Sequence, residues 1–309
     1  MSFPSSSATE RPIISLGCAF WDTILRVPAI PRHGTKVLAE DAVQAASGMA
    51  TAAAVTIARL GGRVDLWSRI GDDATGDAFL DDLAREGVGH GRVRRVPDGR
   101  TWISTIIVDA EGERLVVPFA DPALDRDPGW LPLHEIADAA AVLVDMRWPE
   151  AAEPVLAEAR RCRVPTILDA DVAPPELLRR MIPLADHVLF SEPALLSLVP
   201  GADVGEALTT IAADLPAVVV GVTLGAEGAL MLTDGALSRV AAIPIAAQDT
   251  LNAGDVWHGA YALGLVRGWD LVRRVRVANV AAAMKCEVFG GRRGAPTLAA
   301  VLARLAEAK

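Results

Sequence analysis

The sequence DTLNAGD, residues 249–255, carries the clearest structural and chemical signal in this chain of 309 residues. Its small residues predict a tight loop that opens a helix. A helix N-terminus presents unpaired backbone amides and a partial positive charge, so the amides of Asn252, Ala253 and Gly254 are candidates for holding a phosphoryl group. Asp255 would then lie beside that group as a base. An ordinary capped helix with an aspartate in its first turn is the alternative.

This loop resembles the second signature of the PfkB, or ribokinase-like, family of carbohydrate kinases, Asp-Thr-x-Gly-Ala-Gly-Asp. The resemblance implies that Asp255 is the catalytic base and that ATP, bound with Mg²⁺, is the phosphoryl donor. Asn252 is the departure from the signature, because the family usually has glycine there. Asparagine tolerates a left-handed backbone best among the non-glycine residues, so we expect the loop to form.

Composition and charge exclude several other classes of protein. Hydrophobic residues make up 51% of the chain, enough for a full α/β core, and the net charge of −9 argues against a nucleic-acid or membrane-surface partner. The three cysteines lack metal-ligand or redox spacing. Residues 1–11 lack the apolar core of a signal peptide, and no apolar run is long enough to span a membrane. We therefore expect a cytoplasmic protein.

Strands that alternate with helices predict a mostly parallel sheet covered on both faces. The resemblance implies a ribokinase-like three-layer α/β/α sandwich, a single kinase domain over residues 12–300, and a small β-sheet lid from segments at about 23–45 and 98–121. Alternation of apolar and polar residues predicts a β-hairpin within the second lid segment. The predicted strands of the main sheet are 13–19, 64–68, 140–145, 166–169, 187–191 and 218–223. The predicted helices are 51–60, one that follows residues 69–77 and ends before Gly87, 150–161, 175–183, 193–199, 204–213, 253–266 and 271–288.

Asp22 and Gly48 are the candidate sugar-binding residues near the start of the chain. We place Asp22 at the end of the first strand, where open α/β sheets bind ligands, and a carboxylate can accept hydrogen bonds from two hydroxyls. Alone, such a residue is more often a turn or a cap, but the resemblance implies that it binds the sugar. Gly48 and Thr51 are what remains of the family's first signature, a glycine pair followed by a small polar residue.

The segment Thr223-Leu-Gly225-Ala-Glu-Gly228 follows a predicted buried strand. A simple hairpin is one interpretation, whereas the resemblance implies that Thr223, Gly225 and Gly228 line the ATP site. Asn279 is either a buried packing amide or a contact on the adenine side. The chain has no GxxxxGK[ST] phosphate loop, which argues against a Walker-type ATPase. The loop 290–296 is implied to close the nucleotide site and to contribute to a monovalent-cation site, with K⁺ as the candidate ion.

The magnesium site is the weakest part of the resemblance. The family's Asn-x-x-Glu motif is replaced here by Ser191-Glu192-Pro193-Ala194. Mg²⁺ keeps much of its hydration shell in proteins, so Glu192 is a candidate ligand that acts through water.

Several segments, at 144–148, 168–171, 190–193 and 284–286, are more similar to the sulfofructose kinase subgroup than to ribokinase. That similarity implies 6-deoxy-6-sulfofructose as the sugar, phosphorylated at its 1-hydroxyl, with Lys36 and Arg147 on the sulfonate. Two cationic side chains could neutralise such an anion. The alternatives are a solvated charge for Lys36 and a salt bridge from Arg147 to Asp145 or Asp169. Pro118 departs from the subgroup, which has an amide side chain there.

Two other functions stay open at this point. One is a kinase for a neutral sugar such as fructose or ribose. The other is a catalytically weak, regulatory sugar-binding protein, against which the presence of both Asp22 and Asp255 argues, since a binding module needs no base. The apolar strand faces at 36–43 and 101–119 permit a homodimer formed through the lid.

Overall fold

The computed structural model describes residues 11–124, 126–215 and 219–307. Thirteen strands occur in these ranges: β1 Ile13–Leu16, β2 Phe20–Arg26, β3 Asp41–Ser47, β4 Val64–Gly71, β5 Gly89–Val96, β6 Ile103–Val108, β7 Arg114–Phe119, β8 Ala141–Val144, β9 Thr166–Ala170, β10 His187–Ser191, β11 Val219–Thr223, β12 Ala229–Thr233 and β13 Ala236–Val240.

The α-helices in the same ranges are α1 Met49–Arg59, α2 Ala74–Arg85, α3 Pro149–Cys162, α4 Pro175–Met181, α5 Glu192–Leu198, α6 Val204–Ala213, α7 Ala253–Val266, α8 Leu271–Cys286 and α9 Leu298–Glu307. Short 3₁₀ helices lie at Leu133–Asp138, Ile182–Leu184, Gly225–Glu227 and Gly291–Gly294.

The larger sheet has the strand order β13-β12-β11-β10-β9-β8-β1-β4-β5. Its pairs are parallel except for β11 with β12 and β12 with β13. Successive residues of a strand face opposite sides of the sheet, so each face has its own core. Ile13 of β1 belongs to the core that includes residues of α1, α2, α7, α8 and α9, and Ile14 to the core that includes residues of α3, α4, α5 and α6. The predicted three-layer α/β/α fold is confirmed.

The second sheet contains four of the described strands in the order β3-β2-β6-β7. β2 and β6 are parallel, and the outer pairs are antiparallel. Both predicted lid segments contribute to it, and the predicted hairpin is β6 with β7. The sheet lies over the carboxyl ends of the large sheet's strands closely enough that both contribute residues to one cavity.

Two strand predictions were wrong at their boundaries. The first strand ends at Leu16, and residues from Phe20 onward form a separate strand of the lid. The chain turns at Gly17, where a Cβ atom would lie 2.0 Å from Asp145 Oδ2. The strand expected near 36–43 runs instead from Asp41 to Ser47, because it pairs along its whole length with β2, from Arg26 back to Phe20.

The edge strand β5 was missed, since its glycines and arginines obscure the alternation that Val93 and Val96 would otherwise show. The predicted strand 218–223 is observed from Val219, and Val218 lies outside the described residues. Among the described helices, none combines the length and the apolar character that crossing a membrane requires.

Candidate active site

Asn252 initiates α7 from a left-handed conformation, with φ at 61°, as we expected for an asparagine in a glycine position. Its side chain joins two parts of the site. Nδ2 donates to Asp255 Oδ2 at 2.7 Å, and Oδ1 accepts from the Arg292 backbone N–H at 3.1 Å. The residue that departs from the family signature therefore contacts the predicted base directly.

The carboxyl group of Asp255 is buried in the first turn of α7. Burial, reinforced by the charge of Asp169, raises the pKa of Asp255 to about 7, against the opposing effects of the Asn252 hydrogen bond and of His258. Burial also raises the pKa of Asp169 well above its usual range. A base whose pKa lies near neutral pH is suited to taking a proton from a hydroxyl at that pH.

His258 lies one turn further along α7, and no role was predicted for it. Its Nδ1 is 2.8 Å from the Gly254 carbonyl oxygen and 3.3 Å from Asp169 Oδ2. Burial lowers the pKa of His258, which favours a neutral ring whose Nδ1–H donates to Gly254. The spacing of three residues from Asp255 could have indicated this proximity, since such residues share a helix face.

A cavity of about 910 Å³ lies between the two sheets, and the predicted base opens onto it. Asp22 lines this cavity from β2 of the lid, not from the end of the first large-sheet strand, which corrects its predicted position. It is 5% exposed. Burial raises the pKa of Asp22 to about 6, against the Ser47 hydroxyl and the charge of Arg292.

Gly48 also lines the larger cavity and is required by the backbone. Its φ is 102°, and a Cβ atom there would lie 2.5 Å from the Cys18 carbonyl oxygen. Thr51 instead is fully buried and donates its hydroxyl to the same carbonyl at 3.1 Å. Of these two remnants of the first signature, Gly48 reaches the cavity and Thr51 supports the turn.

The lid wall of the larger cavity is formed by alternate residues of β7, namely Arg114, Val116 and Pro118. The Arg114 guanidinium donates a hydrogen bond to the Thr250 hydroxyl, so the lid touches the DTLNAGD loop. Arg114 was not predicted as a site residue. The available signal was its position four residues before Pro118 in a predicted strand, because residues at even spacing along a strand lie on the same face.

A second cavity, of about 510 Å³, lies on the other side of the start of α7. Thr223, Gly225, Gly228 and Asn279 all line it, with Ile243, Pro244, Ile245 and Trp257 among its apolar residues. The segment 223–228 is a hairpin between β11 and β12, and it also forms one wall of this cavity. Gly228 is required there, since a Cβ atom would lie 2.1 Å from the Val240 carbonyl oxygen.

Asn279 is a buried packing amide, as one interpretation predicted, and it also lines the smaller cavity. Its Oδ1 accepts from Trp257 Nε1 at 2.7 Å, and its Nδ2 donates to the carbonyl oxygens of Val240 and Ala241 at 2.9 and 3.1 Å. The amide thereby anchors α8 to the chain after β13 while forming part of the cavity wall.

The two cavities share Thr223, Thr250, Ala253 and Gly254 as lining residues. Asp255 and Asp22 lie on the larger cavity only, and Gly225 and Asn279 on the smaller one only. The start of α7 is therefore the point at which a ligand in one cavity would meet a ligand in the other.

The pfkB family carbohydrate kinase model matches residues 12–298. The chain belongs to this family. It is 28% identical to the ribokinase of Bacillus subtilis over 292 residues, 93% of this chain and 97% of the relative. A crystal structure of a candidate ribokinase from Agrobacterium tumefaciens superposes with a TM-score of 0.93 at 40% identity, covering 96% of this chain and 98% of that one. Arabidopsis thaliana ribokinase complexed with ribose and ATP has a TM-score of 0.81 at 23% identity, covering 96% and 98%, which is evidence for the fold alone.

In this pfkB-family kinase Arg147 lines the larger cavity, but its guanidinium already has protein partners. Nη2 donates to Asp171 Oδ2 at 2.7 Å and Nη1 to the Val172 carbonyl oxygen at 2.8 Å. The salt bridge is thus made with Asp171, where Asp145 or Asp169 was the predicted alternative. Asp145 accepts the backbone N–H of Arg147, not its guanidinium, and also accepts from the backbone N–H groups of Cys18 and Ala50.

Lys36 and Glu192 do not line either cavity. Lys36 lies in the exposed segment between β2 and β3, and Glu192 is an exposed residue at the start of α5. No group of three or more His, Cys, Asp or Glu residues that could hold a metal ion occurs in the described ranges. Ser191, next to Glu192, lines the larger cavity with a buried hydroxyl that has no hydrogen-bond partner among the described residues. This arrangement fits Mg²⁺ held mostly by phosphate and water, which needs few protein ligands.

Proposed function

We propose that this kinase transfers the γ-phosphoryl group of ATP to a primary hydroxyl of a ketose. The observation that carries the proposal is the meeting of the two cavities at the start of α7, with Asp255 on one side only. The smaller, largely apolar cavity would take the adenine and ribose of ATP, and the larger one the sugar. The terminal phosphate would then lie across Thr250, Ala253 and Gly254, beside the acceptor hydroxyl.

The reaction follows from the groups at that point. Asp255 accepts the proton of the hydroxyl, the oxygen forms a bond to the γ-phosphorus, and the bond to the bridging oxygen breaks to release ADP. First-turn amides such as that of Gly254 have no intrahelical acceptor and stabilise the charge on the transferred group. The Ala253 amide contacts the Thr250 carbonyl at 3.3 Å, which shapes the loop. Mg²⁺ on the phosphates would add charge neutralisation, with Glu192 acting through water near Ser191.

Asp22 orients the sugar from the lid. With a pKa of about 6 it is mostly ionised at neutral pH, so both oxygens can accept hydrogen bonds from neighbouring hydroxyls. Gly48 supports this by letting the backbone approach the cavity without a side chain. Thr223, Gly225, Gly228 and Asn279 hold the nucleotide side.

The most specific candidate substrate is 6-deoxy-6-sulfofructose, converted to its 1-phosphate. Arg147 on the cavity wall supports an anionic sugar, and Arg114 adds a second cation to the same cavity. Lys36 could take part only after movement of the exposed segment that carries it. The pairing of Arg147 with Asp171 favours the alternative, a kinase for neutral fructose or ribose, because that arginine is already neutralised.

ADP release with Mg·ATP across sulfofructose, fructose, fructose 6-phosphate and ribose distinguishes these substrates. If Arg147 binds a sulfonate, Arg147→Ala should raise KM for sulfofructose at least tenfold and leave that for fructose within about twofold, because losing a charge-assisted contact costs about 1.5–3 kcal/mol. Arg180→Ala, which removes an exposed arginine paired with Glu153, is the matched control. Equal losses for both sugars would show that Arg147 has a structural role. Absence of turnover with every sugar would contradict the proposed activity.

We further propose that the lid pairs with that of a second copy. Alternate residues of β7 point away from the cavity, and Leu115, Val117 and Phe119 are all exposed, together with Ile103 on the neighbouring strand. A contiguous apolar surface of this kind favours association.

A further inference from the structure

Lys285 is a fully buried lysine that the phosphoryl-transfer chemistry does not use. It lies in the last turn of α8 with 0% of its side chain exposed. Its Nζ donates to the Asp249 carbonyl oxygen at 2.5 Å and is 3.4 Å from Asp249 Oδ1. A buried ammonium is costly unless it is paired, so this contact is a specific feature of the site.

Its partner Asp249 connects the two loops around the start of α7. The carboxylate is fully buried and accepts from the backbone N–H of Leu251 at 2.8 Å, of Gly290 at 2.9 Å and of Gly291 at 2.8 Å. Those amides belong to the DTLNAGD loop and to the loop 290–296. Asp249 therefore sets the position of one loop relative to the other, and it does so as a buried anion that needs a nearby positive charge.

The loop 290–296 is also where the family resemblance implied a monovalent cation such as K⁺. The residues present do not fit an additional ion. The oxygens of Asp249 that would attract one, its carbonyl and Oδ1, already contact the Lys285 ammonium. Burial lowers the pKa of Lys285, and the charge of Asp249 opposes that shift.

We propose that Lys285 is a positioning residue whose ammonium supplies the fixed positive charge of this loop junction, so that phosphoryl transfer requires no monovalent cation. The proposal rests on the proposed kinase activity for its kinetic consequences. Its structural part, a cation supplied by the chain itself, is independent of which sugar is phosphorylated.

The first test uses the wild-type enzyme and needs no variant. We expect kcat and KM in tetramethylammonium chloride, an ion too large for a loop site, to stay within about twofold of their values in KCl at equal ionic strength. Activation of the wild type severalfold by K⁺ would overturn the proposal.

The second test replaces Lys285 by the neutral methionine of similar length. In tetramethylammonium chloride, Lys285→Met should lose at least tenfold in kcat with a smaller change in KM for the sugar, because the loop that holds the transferred group shifts. K⁺ or ammonium should restore a substantial part of that loss. Unchanged kcat, or a loss that neither ion restores, would contradict a role for the charge. Arg276→Met, an exposed cation on the same helix, is the control and should show no dependence on these ions.

Thermal unfolding separates failure of this proposal from failure of the proposed function. K⁺ should raise the melting temperature of Lys285→Met by several degrees more than that of the wild type, with no substrate present, because only the variant has a vacated cation position. Equal shifts for the two proteins would overturn the proposal even if no sugar in the panel were phosphorylated.

Discussion

Replacing Asn252 by glycine tests how the protein sets the pKa of its base. The variant restores the residue usual in the family and removes the hydrogen bond of 2.7 Å that Nδ2 donates to Asp255 Oδ2. Glycine adopts the left-handed φ of 61° without strain, so the loop should keep its conformation. Because the hydrogen bond stabilises the carboxylate, its loss should raise the pKa of Asp255 further above its present value of about 7.

The size of the shift follows from the strength of a charged hydrogen bond. Such a bond contributes about 1.5–3 kcal/mol, which at about 1.4 kcal/mol per pKa unit corresponds to a rise of about one to two units. At pH 7 the ionised fraction of Asp255 would fall from about one half to about one tenth or one hundredth. The rate constant kcat/KM should therefore drop about five- to fiftyfold at pH 7 and recover at higher pH.

The assay measures kcat/KM for the best sugar between pH 5.5 and 9.5, with ADP release as the readout. We expect the acidic limb of Asn252→Gly to lie one to two pH units above that of the wild type, since kcat/KM reports the free enzyme. Arg163→Gly is the control, because it also places glycine in a left-handed position, with φ at 58°, on an exposed helix end. An unmoved limb, or a loss equal at every pH, would refute this account of Asn252.

Two further predictions concern the base and the lid. Asp255→Asn should reduce turnover by about 10²–10⁴-fold, the usual contribution of a general base. Because the pKa of Asp255 is raised from 3.8 to about 7, its contribution to stability is present at low pH and declines as pH rises from about 4 to 7. Asp255→Asn should therefore melt progressively higher than the wild type between pH 5 and pH 8; a gap that does not change with pH would contradict the shift. Val117→Glu, 56% exposed on the outer lid face, should convert a homodimer into monomers in sedimentation velocity, whereas Val272→Glu, 51% exposed on α8, should not. A monomeric wild type would contradict lid pairing.

The fold was predictable because its signals are local. Alternation of strands with helices predicted the layers, and the small residues of the DTLNAGD loop predicted the start of α7. The position of Asp22 was not predictable in the same way. Sequence periodicity predicted one apolar strand at 13–19, but it carries no information on where that strand ends or on which sheet the residues after it join. That depends on the turn at Gly17, which is set by the distant Asp145 side chain.

Side-chain partners were the least predictable part of the site. Arg147 was predicted to bind a sulfonate, with a salt bridge to Asp145 or Asp169 as the alternative, and its guanidinium pairs with Asp171 just after a neighbouring strand. Lys36 was placed near the sugar on resemblance, and the exposed segment that carries it leaves it outside both cavities. Both outcomes depend on loop conformations between strands, where no periodic pattern constrains the direction of a side chain.

Asn252 and Lys285 act on the same junction from opposite ends. Asn252 accepts from the Arg292 backbone, while Asp249, paired with Lys285, accepts from Gly290 and Gly291. Three consecutive residues of that loop are thus held by side chains that also set the geometry of α7's first turn. Displacing the loop through either residue would move Asn252 relative to Asp255 and change the hydrogen bond that lowers the pKa of the base. We therefore expect the effects of Lys285→Met and Asn252→Gly on the acidic limb of kcat/KM to be non-additive, because both residues hold the same loop.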